Sequence, residues 1–295
     1  MLNQYPNFSK LTLEHQSLID DFIAEYEPYS DFNFLSLYSW NFDETAEVCL
    51  LNDNLVIKLP DYITGEPVVS ILGKTKITES IQALLEESLT LKLVPQATIN
   101  SLQEPVNFNI EEDIDNNDYI FDLSDHANFP RSEHKSKRKN MNRFIREYGE
   151  RVLVQSLDIK DKVRVEELEQ VFLQWGRERQ RDDTEVENER VAILRFLEHA
   201  DSFKCRAYEI LIDEKIVGFS LNEILANKFA NAHFQKSLIK YANMDIFFTN
   251  FVAKKLVEEE GCMYINWEQD LGIEGLRQLK QSYKPVKMLK KYLVY

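Results

Sequence analysis

Cysteine, glycine and, over the first half, positive charge are what this sequence is short of. Its 295 residues include three cysteines, Cys49, Cys205 and Cys262, with no C-x-x-C spacing. An odd number of isolated thiols supplies neither a disulfide framework nor a structural zinc site, so a reducing, cytoplasmic setting is expected. Eight glycines and eight prolines are few for an all-β chain built on tight turns. No run approaches the ~18 apolar residues of a membrane-spanning helix. The amino end MLNQYPNFSK has no basic stretch leading into an apolar one, so no signal peptide is expected either. The patterns GxSxG, HExxH, GxGxxG and the Walker sequence do not occur, and nothing supports metal chemistry.

What is there is ordinary globular material with uneven charge. Hydrophobic residues make up 44% and charged residues 29%, which excludes a disordered or collagen-like chain. The net charge of −15 argues against a general nucleic-acid binder. Residues 1–130 hold 5 Lys and Arg against 23 Asp and Glu, whereas residues 131–295 hold 30 against 27. An acidic half therefore precedes a near-neutral half with basic clusters. Two domains are expected, 1–128 and 129–295, the second carrying the activity.

Hydrophobic periodicity predicts helices over Leu13–Glu27 and Asp31–Trp40, then a hairpin turning at Asn52-Asp53 and a third strand, PVVSIL. A helix at Lys76–Ser88, a strand at Leu91–Val94, a short helix at Gln96–Leu102 and strands at Val106–Ile110 and Asp118–Leu123 follow. The second half reads as a strand at Arg151–Ser156, helices at Asp161–Arg179 and Glu187–His199, and a meander of Cys205–Ile212, Lys215–Leu225 and Phe229–Gln235. A helix at Met244–Glu259 capped by Gly261, a strand at Cys262–Trp267, a helix at Ile273–Ser282 and a terminal strand complete it. Each half thus runs three antiparallel strands, a helix and a further strand. The class is α/β with mixed sheets, and the order is similar to the GNAT acyltransferase fold in tandem duplication.

Four sets of residues are candidates for chemistry. Arg131–Arg151 carries eight basic and three acidic residues. Within it Lys135, Lys137, Arg138, Lys139 and Arg143, with Asn140 among them, suit a phosphate, a lipid head group or an RNA backbone, or else form a solvated helix face. Arg277, Lys280, Lys284, Lys287, Lys290 and Lys291 close the chain without an acid among them, and lysines of this kind also protect an edge strand. Asn266, Gln269 and Asp270 stand where a strand gives way to a helix, with Gly272 permitting close approach; Asp270 also fits a helix cap. His233 and Lys236 end the meander, where His233 serves as a general base or as a core histidine.

FNFLSLYSW, EHKSKRKNMNRF and INWEQDLGIEGLRQLKQSYKP together resemble the phosphatidylglycerol lysyltransferase C-terminal domain family, over nearly the whole chain. The resemblance implies two GNAT-like domains, related in fold to the Fem-type peptidyltransferases, and transfer of an aminoacyl group from aminoacyl-tRNA to an amine or hydroxyl such as a lipid head group. It implies no tightly bound cofactor, with tRNA and anionic lipid head groups as partners. On that reading Lys135, Arg138 and Lys139 hold phosphate, and Asn266, Gln269, Asp270 and Arg277 shape the donor or acceptor pocket. Lys280 neutralises developing charge, and His233 is the base. The glycine loop that cradles the pyrophosphate of coenzyme A is replaced by KSLIKYANMDIFF, Lys236–Phe248, which disfavours acyl-coenzyme A as donor. The alternatives are a non-catalytic protein holding an anionic ligand on the same fold, and a coenzyme A-dependent N-acetyltransferase.

Overall fold

The structure, a computed structural model, describes residues 2–61, 64–87, 90–130 and 133–295. The first elements are β1 (Ser9–Lys10), α1 (Gln16–Ile23), α2 (Phe34–Ser39), β2 (Glu47–Leu51), β3 (Asn54–Pro60) and β4 (Pro67–Leu72). Next come α3 (Ile77–Glu87), β5 (Leu91–Pro95), α4 (Gln96–Ile99), β6 (Ile110–Glu112) and β7 (Asp118–Asp122). The middle of the chain forms α5 (Leu123–Asn128), α6 (Lys135–Tyr148), β8 (Val152–Ser156), α7 (Lys162–Arg179) and α8 (Asp183–His199). The meander is β9 (Cys205–Ile212), β10 (Lys215–Ile224) and β11 (Phe229–Ser237), followed by α9 (Met244–Glu260) and β12 (Tyr264–Asn266). The chain ends with α10 (Glu274–Ser282), β13 (Lys287–Leu289) and β14 (Lys291–Val294). The expected helix end at Ser88 and the first basic residue, Arg131, lie outside the described residues.

The architecture is mixed α/β, and the order of three antiparallel strands, helix and strand occurs twice, as β2-β3-β4-α3-β5 and β9-β10-β11-α9-β12. Contacts group the chain into two compact units, but not by a single cut at residue 128. One unit holds Met1–Tyr119, Glu268–Ser282 and Lys287–Tyr295; the other holds Ile120–Trp267 and Tyr283–Val286. The reason is strand pairing at the chain end. β14 is the central strand between β5 and β6, antiparallel to both, so the last residues fold with the first.

In the first unit β1-β2-β3-β4 form an antiparallel sheet. The β2–β3 hairpin turns on Asn52 and Asp53, at φ 49° and 62°, the left-handed pair that matches strand twist. Its core joins Cys49, Val56 and Ile71 to Ile77, Ile81 and Leu84 of α3, with Leu91, Val94 and Val294. In the second unit the strands lie in the order β7-β12-β11-β10-β9-β8. All neighbours there are antiparallel except β11 and β12, which are parallel because α9 carries the chain across between them. Phe144, Phe172, Phe196, Phe219, Phe234 and Phe248 are fully buried. Gly261 ends α9 at φ 66°, its N–H on the carbonyls of Leu256 and Val257.

Several elements differ from expectation: the terminal strand is two, β13 and β14, in different sheets, α8 starts at Asp183 rather than Glu187, and α1 covers only Gln16–Ile23 of the helix expected over Leu13–Glu27. The strand expected at Val106–Ile110 forms instead at Ile110–Glu112, because pairing of Ile110 with Val294 and Glu112 with Tyr292 sets its register. The short helix α5 follows β7 directly, started by the Asp122 carboxylate on the Ser124 N–H at 2.7 Å. Among the described residues no helix is long and apolar enough to cross a membrane.

Candidate functional site

Within the second unit, β11 pairs with β12 only over Phe229–Asn231; the pairing ends with Asn231 opposite Asn266, while β11 continues to Ser237. The two parallel strands part there, beside the start of α9, at the carboxyl ends where ligands collect in mixed sheets. Gln235, on the free part of β11, donates its amide to the Thr249 hydroxyl of α9 at 2.8 Å. Thr249 is also a side-chain hydrogen-bond partner of Tyr283. Trp267, the first residue beyond β12, stands edge-on to Tyr283 with ring centroids 4.9 Å apart.

α6 adds an amine to this group. Lys137 Nζ lies 3.2 Å from the centroid of the Tyr283 ring, and the Asp245 carboxylate in the first turn of α9 acts on its charge. Burial pushes the Lys137 amine down to about 8, with Asp245 opposing the shift. His126 of α5 is buried behind these rings, 4.8 Å from Trp267 and 5.1 Å from Tyr283. Burial, followed by the neighbouring charges of His134 and Lys137, lowers His126 to about 3, so its imidazole is neutral. Asn250 of α9 holds α5 in place by donating to the carbonyls of His126 and Ala127 at 2.7 and 2.8 Å.

The outer face of α6 is basic. Lys135, Lys139, Arg143 and Arg146 are exposed and spaced four, four and three residues apart, so they form one stripe with a step of about 6 Å. Arg138 turns inward and donates to the Phe129 carbonyl. Asn140 is half-buried on the same helix.

The family model for phosphatidylglycerol lysyltransferase, C-terminal, matches residues 24–295. The chain belongs to that family. A conserved protein of unknown function from Bacteroides thetaiotaomicron matches in fold at a TM-score of 0.81 and 25% identity, over 100% of this chain and 99% of that one. L-PGS from Bacillus licheniformis matches at 0.60 and 16% identity, over 100% and 93%, and a C-terminal DUF2156 domain from Agrobacterium fabrum at 0.65 and 12%, over 95% and 91%. Comparison with curated proteins returns no match. Membership makes this a transferase-like protein of the aminoacyl kind.

Several family-motif residues are committed to one another rather than open to a ligand. In the first unit Asp270 is fully buried and accepts from Tyr119 Oη at 2.6 Å, from Arg277 at 2.7 and 2.9 Å and from the Gly272 N–H at 2.9 Å. Burial alone would raise its pKa, but Arg277, Tyr119 and that N–H hold the carboxyl below the usual range. Arg277 also reaches Asp115 at 2.6 Å. Gly272, at φ 70°, leaves room for Asp115 instead of a ligand, since a Cβ there would sit 2.9 Å from Asp115 Oδ2. Lys280 is buried and donates to the main-chain carbonyls of Glu268 and Gln269, while Gln269 donates to Asp31 at 2.8 Å. Lys291 is fully buried between Asp31 and Asp118. A cavity of about 280 Å³ in this unit is lined by Asp61, Asp113 and Asp115 with Lys92, a balance that repels phosphate.

In the second unit His233 is enclosed, its Nε2 3.1 Å from Glu223 and its ring packed on Phe196, which gives a substrate no access to it. Lys236 pairs with Glu189 at 2.6 Å over the Trp175 ring. Asn266 is fully buried at the end of β12, where the strands part. Among the described residues no group of three or more His, Cys, Asp or Glu could hold a metal ion. Sequence reasoning grouped Lys137 with the phosphate-binding candidates of the basic segment and did not single out Tyr283 or Trp267. The signal for Lys137 lay in helical phase, since it stands about 200° around the helix from Lys135 and Lys139.

Proposed function

We propose that this protein moves an aminoacyl group from aminoacyl-tRNA to an amine or hydroxyl acceptor such as a lipid head group. One observation carries the reading. A single helix, α6, presents the exposed stripe Lys135, Lys139, Arg143 and Arg146 on one face and from the opposite face sets Lys137 over Tyr283, whose neighbours Thr249 and Trp267 stand where β11 and β12 part. The stripe suits a phosphate backbone, and the opening suits the acyl ester at its end. Coenzyme A fits less well. The loop that would carry its pyrophosphate has the Ile239 N–H occupied by the Glu178 carboxylate at 2.9 Å, which puts negative charge where phosphate would bind.

The test is filter binding of charged tRNA at two salt concentrations, followed by transfer to phosphatidylglycerol vesicles. Salt-sensitive binding is expected, with the slope falling by about two to three for Lys135→Ala/Lys139→Ala/Arg143→Ala as those phosphate contacts are lost. Absence of binding at low salt, or binding unchanged in the triple variant, refutes the assignment.

A further inference from the structure

We propose that Lys137 is the proton-transferring catalytic residue of this site, taking the proton of the acceptor as it attacks the donor ester and returning it to the leaving oxygen. The inference rests on the transfer reading above and assigns its central chemical role to a residue outside the charged network of the family motif. The site offers few other candidates. Lys280 is bound to two carbonyls in the first unit, and His233 is sealed against Glu223. Around the opening, His126 is neutral and enclosed by rings, and burial raises the Tyr283 phenol, so neither exchanges protons near neutral pH.

Opposing influences meet at Lys137: the Tyr283 ring face and Asp245 favour the charged amine, and burial favours the neutral one. Its Nζ is held over the face of Tyr283, and Tyr283 is itself fixed by Thr249 and by the edge of Trp267. The groups facing it are Asp245 from α9, His126 from α5, and His134 at the start of α6, with Arg138 as the next cation along its own helix. Asp245 is exposed, so the opposing charge is screened, while the stem of Lys137 is half-buried. With the amine at about 8, roughly one-fifth is unprotonated at pH 7.4, against about one part in a thousand for an ordinary lysine.

The proposed step balances without a further reagent. The acceptor nitrogen or oxygen forms a bond to the ester carbonyl carbon, and its proton passes to Lys137 Nζ. The ester C–O bond then breaks, and the departing 3′ oxygen takes the proton from Nζ. The products are the aminoacylated acceptor and tRNA with a free hydroxyl, and the amine is regenerated.

The experiment measures single-turnover transfer between pH 6 and 9.5, with phosphatidylglycerol vesicles and with hydroxylamine as acceptors, for wild type, Lys137→Met and Lys137→Arg. Transfer is expected to rise through a midpoint near pH 8 in wild type. Lys137→Met should lose about 100-fold or more and lose the midpoint, with tRNA binding unchanged. Lys137→Arg should not restore it, because a guanidinium keeps its proton. Transfer that survives Lys137→Met, or is restored by arginine, overturns this role and leaves the transfer reading standing. Wild-type protein that binds tRNA but transfers to neither acceptor refutes the transfer reading and this role with it. A readout independent of turnover is acetylation by an N-hydroxysuccinimide ester at pH 7.4, followed by peptide mass spectrometry. Lys137 should label ahead of Lys135 and Lys139; equal or slower labelling overturns the proposal.

Discussion

Replacing Lys291 with methionine should be among the most damaging single changes in the first unit. The Lys291 side chain and those of its partners Asp31 and Asp118 are all 0% exposed, and Nζ lies 2.7 Å from Asp118 Oδ1 and 3.3 Å from Ser30 Oγ. Burial by itself would lower the lysine pKa, but the two carboxylates outweigh it and the amine is held charged. Methionine fills a similar volume and removes only the charge and its hydrogen bonds. Asp118 then keeps the Ser30 N–H at 2.8 Å and hydroxyl at 2.7 Å, and Asp31 keeps the Gln269 amide, so hydrogen bonding to the carboxylates survives in part. Breaking a buried pair by removing one partner costs about 3–5 kcal/mol. At about 2–4 °C of Tm per kcal/mol, the loss is roughly 6–20 °C. Calorimetry of Lys291→Met reads it directly. Because the damage comes from uncompensated charge, Lys291→Met/Asp31→Asn/Asp118→Asn should recover at least half of the lost Tm. A single variant within about 2 °C of wild type, or a triple variant less stable than the single, refutes the argument.

The Asp270 carboxyl is held below its unfolded value, so its stabilising contribution is complete above about pH 4 and is lost as pH falls through the folded pKa. The Tm gap between wild type and Asp270→Asn should therefore be widest near neutral pH and close in acid; a gap constant down to about pH 2.5 would contradict this. Gly272→Ala places a side chain at φ 70° and 2.9 Å from Asp115, and should cost about 1–2 kcal/mol in urea unfolding, with no loss if the loop simply relaxes. Cys49 and Cys262 are buried, and burial pushes the Cys49 thiol up to about 12. Both should stay unlabelled by a thiol reagent in the native protein and react on unfolding; rapid native labelling of Cys49 would show that its site opens.

Short-range signals were legible in the sequence and long-range ones were not. The turn at Asn52-Asp53 and the first position of the turn at Asp213-Glu214 are set by residues that accept positive φ, and Gly261 marks the end of α9 for the same reason. The register of β6 depends on β14, more than half the chain away, and no local propensity encodes it. The same holds for the site. Lys135, Lys137 and Lys139 are indistinguishable by type, and helical phase separates them into two faces without saying which is covered. The covering residues, Tyr283 and Asp245, come from distant segments. Conversely, Asp270, Arg277 and Lys280 looked available because their partners, Tyr119, Asp115 and main-chain carbonyls, cannot be read from spacing.

The charge asymmetry between the two halves of the sequence acquires a different meaning once the chain end is assigned to the first unit. The terminal basic residues Arg277, Lys287, Lys290 and Lys291 are all paired with acids, although Lys287 does stand on an edge strand, β13. Lys287 pairs with Glu27, Lys290 with Glu112 at 2.7 Å, Lys291 with Asp31 and Asp118, and Arg277 with Asp115 and Asp270. Six carboxylates of the unit are therefore met by cations supplied after residue 275, and the strongly acidic first half is partly neutralised within its own fold. The exposed pairs contribute little to stability, whereas the buried ones fix which strand lies between β5 and β6, since a slipped register would strand Lys291 without its acids. With that cluster accounted for, the exposed stripe on α6 stands out as the basic surface to test against an anionic partner, and the same helix sets Lys137 over the Tyr283 ring from its opposite face.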